Sequence, residues 1–349
     1  MTAGRVIGDR YEVAGLLGRG ATASVWLARD CWADRSVAIK ELTGRRWLQE
    51  PEALGRFERE ARTVGGLVHP NIVAVHDVDV HGVIPYLVME LVEGVTLAQM
   101  LRNGVLTVGQ AVAIAAQLCA GLSAAHAAGV IHGDVKPANV MLTPTGVVKL
   151  CDVGIARALS GTDDPGRSGA KPVGTTRYLA PEQVRNGPVD ARADLYGLGC
   201  TLYAMLIGVP PFSGVRVDEL GQDFDTEPVG MRAHRADVPA ALDALVTRLL
   251  ATSAADRPYD AAAVAARLTE LVNDAPTGST PLPPALPPSR GGPVPSLIGP
   301  VRGQARVVVP AHASRPRHAS RARSWRRWHI GVAGLILLAA IVAWMFVAG

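Results

Sequence analysis

An α+β fold in two lobes is predicted by three observations on the sequence. Short apolar, β-like runs separated by turns fill roughly the first 100 residues, helical periodicity takes over from about Leu106, and a sheet-rich part thus precedes a helix-rich one. The strand-like runs are YEVAGLLGRG, SVWLARD, SVAIKEL, NIVAVHDVDV and PYLVMELVE. One helix is expected among them, over PEALGRFEREARTVGGL, with Pro51 at its start and a glycine pair near its end. In the second part TVGQAVAIAAQLCAGLSAAHAAG repeats apolar residues at three- and four-residue steps and stops at Gly129.

Charge is distributed unevenly. From Ala275 onward there are nine Arg and no Asp, Glu or Lys, so residues 1–274 carry 26 basic against 31 acidic side chains. The basic balance belongs to the tail, and the globular part is not expected to bind nucleic acid. Cys31, Cys119, Cys151 and Cys200 stand singly, without a C-x-x-C pair or a His at ligand spacing, so reduced thiols are expected. The N-terminus has no apolar signal region.

Past Asp274 the character changes. Residues 275–316 hold 11 of the 25 prolines and no periodic apolar face, which makes 275–329 a disordered Pro- and Arg-rich linker. The uncharged run IGVAGLILLAAIVAWMFVAG then reads as a transmembrane helix over 330–348. Just upstream, Arg315, Arg317, Arg321, Arg323, Arg326 and Arg327 lie beside Trp325 and Trp328, a basic flank that the positive-inside bias keeps in the cytoplasm. Everything before Ile330 is therefore expected to be cytoplasmic, held on the membrane by this helix and by arginine contact with anionic lipid. GVAG at 331–334 suggests a homodimer through a small-residue face.

The chemistry-bearing residues follow in order. LLGRGATASV places Leu17, Gly18, Gly20 and Val25 at a strand turn, where backbone N–H groups could approach phosphates; a glycine hairpin is just as often structural, and the absence of G-K-[ST] excludes a Walker loop. VAIK puts Lys40 on a strand among apolar neighbours, where its charge needs a partner; Glu60 on the following helix is chosen over Glu58. GVIHGDVKPANVML carries Asp134, Lys136 and Asn139, and VVKLCDVG presents Asp152 after a short apolar strand. Phosphoryl transfer needs a carboxylate near the acceptor hydroxyl, a cation near the γ-phosphate and oxygen ligands for magnesium, and these four residues supply them.

The ordered set resembles the protein kinases of the bacterial Ser/Thr type, in particular the membrane-anchored receptor-like kinases of actinobacteria. The resemblance implies a kinase catalytic domain over 11–271, with an N-lobe to about residue 93 and a C-lobe from 94. It implies ATP bound by Leu17, Gly18, Gly20, Val25, Ala38, Lys40, Glu60 and the YLVMELVEG hinge, with Met89 as gatekeeper and Glu90 to Val92 toward adenine. Asp134 and Lys136 would be catalytic, Asn139 and Asp152 would hold Mg2+ (Mn2+ as an alternative), and Glu182 of LAPE would pair with Arg257 of ADRP. Thr162 and Ser168 are the expected autophosphorylation sites, while Thr175, followed by Thr176, would pack against the catalytic loop. Three departures stand out: Gly133 in place of the usual Arg, Val153 in place of the usual Phe, and Ala23 in place of the last glycine. Gly133 is expected to change regulation more than chemistry, because the missing Arg pairs with an activation-loop phosphate. An active Ser/Thr kinase acting on protein substrates is the expected function, and a nucleotide-binding pseudokinase scaffold the alternative.

Overall fold

The computed structural model describes residues 4–20, 23–42, 51–82, 84–154, 176–212, 224, 226 and 228–273. The expected linker, transmembrane helix, Thr162, Ser168 and Thr175 lie outside them, as do the side chains of Glu60 and Thr176.

A six-stranded antiparallel sheet forms the N-terminal lobe. Its strands are β1 (Val6–Ile7), β2 (Tyr11–Arg19), β3 (Ala23–Asp30), β4 (Arg35–Leu42), β5 (Val75–His81) and β6 (Ile84–Glu90), in the order β1-β2-β3-β4-β6-β5. Side chains alternate across a strand, so β4 sends Val37 and Ile39 into a cluster with Tyr11, Trp26, Tyr86 and Val88, and sends Ala38 and Leu42 into the main core. Lys40 has the parity of Ala38 and Leu42, which aims its ammonium toward the second lobe. The helix α1 (Pro51–Gly65) buries Phe57, Ala61 and Val64, one stripe at four- and three-residue steps.

The second lobe contains β7 (Val95–Thr96), α2 (Leu97–Leu101), α3 (Val108–Ala127), β8 (Val140–Leu142), β9 (Val148–Leu150), α4 (Pro181–Val184), α5 (Arg192–Ile207), α6 (Met231–His234), α7 (Ala240–Leu249) and α8 (Ala261–Asn273). Reciprocal Thr–Gln capping boxes, Thr96 with Gln99 and Thr107 with Gln110, start α2 and α3. Among the described residues α3 is the one helix long and apolar enough to cross a membrane, but Ile114, Leu118 and Leu122 are fully buried, and it packs on α5, α8 and β9 as a core helix. Truncating such a residue, as in Leu118→Ala, costs about 2–5 kcal/mol. The two lobes are stitched beside the site: Val73 N–H donates to Leu150 C=O at 3.0 Å and Leu150 N–H to Asn71 C=O at 2.9 Å. The Asn71 amide donates to Val148 C=O at 2.8 Å and to Gln117 Oε1 at 3.0 Å. Helix α5 abuts the loop before β8 so closely that a Cβ on Gly197 would lie 2.8 Å from Val135 O, which is why the helix carries glycine there.

Candidate active site

The loop 131–139 is shaped from both ends. Pro137 opens a 3-10 turn through Asn139, and the Asn139 amide turns back to donate to Asp134 C=O at 2.8 Å and Asp134 Oδ2 at 2.9 Å. Lys136 Nζ donates to the same Oδ2 at 2.6 Å. Asp134 Oδ1 is buried with no hydrogen-bond partner among the described residues.

His132 is fully buried and joins this loop to the next: Nε2 lies 2.9 Å from Cys151 C=O, and Asp134 N–H donates to Nδ1 at 3.2 Å. One neutral tautomer, with the proton on Nε2, satisfies both bonds. Beneath it Asp194, in the first turn of α5, accepts from His132 N–H at 2.9 Å, from Gly133 N–H at 2.7 Å and from His126 Nε2 at 2.7 Å. The anchor thus grips main-chain groups at 132 and 133. Gly133 has φ +73°, a left-handed conformation that costs other L residues energy. Its carbonyl accepts from the Gln183 amide at 2.9 Å, while Gln183 Oε1 accepts from Ala180 N–H at 3.0 Å.

Asp152 follows β9 with φ +63°, and its Oδ1 lies 2.7 Å from Lys40 Nζ. Burial would raise this carboxyl, but the Lys40 charge and hydrogen bond, aided by the Lys136 charge, outweigh it and hold the group below the usual carboxylate range. The structure places Lys40 on Asp152, and puts Glu60, the partner expected from the sequence, on α1 with its side chain outside the described residues. Cys151 N–H donates to Asn139 C=O at 2.8 Å, fixing the Asp152 strand end against the Asn139 turn. Burial pushes the Cys151 thiol up to about 12. Val153 is buried in the main core.

Ala38 and Met89 join the main apolar cluster, with Val25 and Val92 packed at its margin and Leu17 exposed on β2. The Gly18 and Gly20 region is irregular, with a register shift between Leu16 and Gly18. The Glu90 carboxylate receives Lys149 Nζ at 2.8 Å and Ala74 N–H at 3.3 Å. Farther away Arg257 donates to both Glu182 oxygens, at 2.7 and 2.8 Å. Sequence reasoning did not single out Asp194, His126, Gln183 or Lys149; the visible signals were Asp194 in DLYGLGC and Gln183 beside Glu182.

A β-sheet lobe joined to a helical lobe, with Lys40, Asp134, Asn139 and Asp152 gathered where β4, the 131–139 loop and the end of β9 meet, defines a two-lobed fold with one charged site at its junction. The chain belongs to the protein kinase family: the protein kinase domain model matches residues 11–267. It is similar to the serine/threonine-protein kinase PknB of Mycolicibacterium smegmatis, 39% identical over 350 residues, covering 98% of this chain and 55% of that protein. It is also similar to PknB of Mycobacterium tuberculosis, 40% identical over 282 residues, covering 79% of this chain and 45% of that one. A probable serine/threonine-protein kinase of Corynebacterium efficiens is 41% identical over 280 residues, covering 77% of this chain and 42% of its own length. The chain spans about half the length of these curated relatives. Among solved structures, the Mycobacterium tuberculosis PknI kinase domain aligns with a TM-score of 0.63 at 30% identity, covering 77% of this chain and 98% of that one.

Proposed function

We propose that this chain is a serine/threonine protein kinase that passes the γ-phosphoryl group of ATP to hydroxyls of protein substrates and of itself, tethered to the cytoplasmic face of the membrane by residues 330–348. The observation that carries the reading is the uneven use of the Asp134 carboxylate, with Oδ2 held by Lys136 and Asn139 and Oδ1 buried without a partner among the described residues. A buried acceptor left open is costly in a fold that has no use for it, and a substrate hydroxyl is a donor of the right chemistry. In this reading Asp134 orients that hydroxyl and takes its proton at Oδ1.

Lys136, already at the Asp134 carboxylate, neutralises charge on the γ-phosphate. Lys40, with Glu60 as its proposed brace, grips the α- and β-phosphates. Val25, Ala38, Met89 and the Glu90 to Val92 hinge hold the adenine between apolar surfaces. Asp152, kept ionised, and the Asn139 amide oxygen, left over once the amide nitrogen donates to Asp134, are hard oxygen donors that fit a magnesium ion retaining waters and phosphate oxygens. When bound there, a magnesium ion would supply neutralisation of phosphate charge. Glu182 and Arg257 brace the segment that follows the phosphosite candidates Thr162 and Ser168.

The test is incorporation of γ-labelled phosphate into the purified full chain in detergent, with magnesium, for wild type and Asp134→Asn. Labelling that Asp134→Asn abolishes while retaining ATP binding supports the reading. Equal silence of both proteins, each binding ATP, replaces it with a nucleotide-binding scaffold, for which the buried Val153 and Gly133 are the motivating departures. Loss of membrane sedimentation on deleting 330–348 tests the tether.

A further inference from the structure

Arg177 stands apart from three other cations of the helical lobe. Lys136 faces Asp134, Arg192 faces Asp190 and Arg257 faces Glu182, each at 2.6 to 2.7 Å. Arg177, half-buried in the 3-10 turn Thr176–Tyr178, faces no carboxylate among the described residues, and its Nε is buried without a hydrogen-bond partner. A guanidinium partly withdrawn from water and left unmatched is a costly element in a finished fold, and its planar donor fork suits a carboxylate or phosphate.

Its position gives that fork a purpose. Three residues after Arg177, Ala180 N–H is held by Gln183, whose amide donates to the carbonyl of Gly133, the residue before Asp134. Three residues of chain span at most about 11 Å, so Arg177 lies a short peptide's reach from the loop where the acceptor hydroxyl would sit. Both neighbours that follow, Leu179 and Ala180, are buried, which fixes the turn in place.

We propose that Arg177 is a specificity-determining residue that selects protein substrates carrying an acidic side chain near the phosphorylated Ser or Thr. The inference rests on the kinase reading above, and the experiment separates the two. Fluorescently labelled acceptor peptides, identical except for Asp, Ala or Lys at each position flanking the Ser, are titrated by anisotropy against the full chain holding a non-hydrolysable ATP analogue. The same peptides are then used unlabelled in a transfer assay with ATP.

At one flanking position the Asp peptide binds about tenfold tighter than the Ala peptide, as a charge-assisted pair would give. Arg177→Gln removes that preference, and Arg177→Glu transfers it to the Lys peptide, a gain that a misfolded variant cannot show. A phosphoserine peptide at the same position distinguishes phosphate from carboxylate as the preferred anion: binding much tighter than Asp overturns the acidic-residue assignment in favour of a primed site. Equal binding of Asp, Ala and Lys peptides at every position, or a preference that Arg177→Gln leaves intact, overturns the inference whatever the transfer assay reads. Charge-selective binding with no transfer to any peptide leaves Arg177's role standing and removes the kinase reading instead.

Discussion

Two charge clusters in the helical lobe use the same kinds of residue and are filled to different degrees. At Arg257 every guanidinium N–H is spent: Nε on Ala251 C=O, Nη1 on Glu182 and Arg192 C=O, and Nη2 on Glu182 and Thr252 C=O, with the plane 4.9 Å from the Tyr196 ring centre. At Asp134 one carboxylate oxygen has two donors and the other has none among the described residues. A saturated cluster holds a fold together and has nothing left to offer a ligand. An unsaturated one gives up part of that stabilisation to keep a valence open where chemistry is proposed to occur.

The sharpest way to break the comparison is to exchange the effects of the two sites. Asp134→Asn is expected to lower phosphoryl transfer by about 10²–10⁴-fold, the range for losing a positioned general base, while leaving the thermal midpoint unchanged. A comparable loss of stability would place Asp134 with the saturated cluster. Arg257→Ala should do the reverse: breaking a buried pair costs about 3–5 kcal/mol, read as a lower urea midpoint, with the remaining folded fraction still binding ATP.

A third cluster, on the sheet, sharpens the contrast through pH. Arg10 donates to both Asp30 oxygens at 2.7 Å and to Asp77 at 3.1 Å, and this hydrogen bonding holds the Asp30 carboxyl down at about 2, against burial and with help from Ala33 and Trp32 N–H. A carboxyl lower in the folded than in the unfolded chain stabilises above its ordinary value of 3.8 and loses that contribution as pH falls toward 2. Arg10→Gln should therefore narrow the gap in urea midpoint between pH 5 and pH 2, and an unchanged gap would remove Arg10 as the cause. The smallest effect is expected at Gly133. A Cβ there has room, its nearest neighbour being Gln183 Nε2 at 3.9 Å, so Gly133→Ala should cost only the left-handed backbone penalty, about 1–2 kcal/mol by chemical denaturation.

Much of this arrangement was legible in the sequence, for physical reasons that differ by element. The long strands and α3 follow from periodicity, and α1 from Pro51 and its apolar stripe. Lys40 was legible as a charge inside an apolar strand, and Asp134, Asn139 and Asp152 because short loops after apolar runs set their spacing. The two-residue strands β1 and β7 carry too few side chains to show a period. The hydrogen bonds of Asp194 to His126 and to the 132–133 backbone span more than 60 residues and leave no local pattern. The Lys40–Asp152 contact is likewise tertiary: only the path of the chain after β9 brings the Asp152 carboxylate to 2.7 Å from Lys40 Nζ.

The grip of Asp194 on two peptide N–H groups has an evolutionary consequence. Any residue type except proline presents the same N–H, so a side chain at 133 that bears the left-handed backbone cost leaves the grip on the loop in place. The side chain at 133 and the carboxylate at 134 can therefore change independently across generations, although they are neighbours in one short loop.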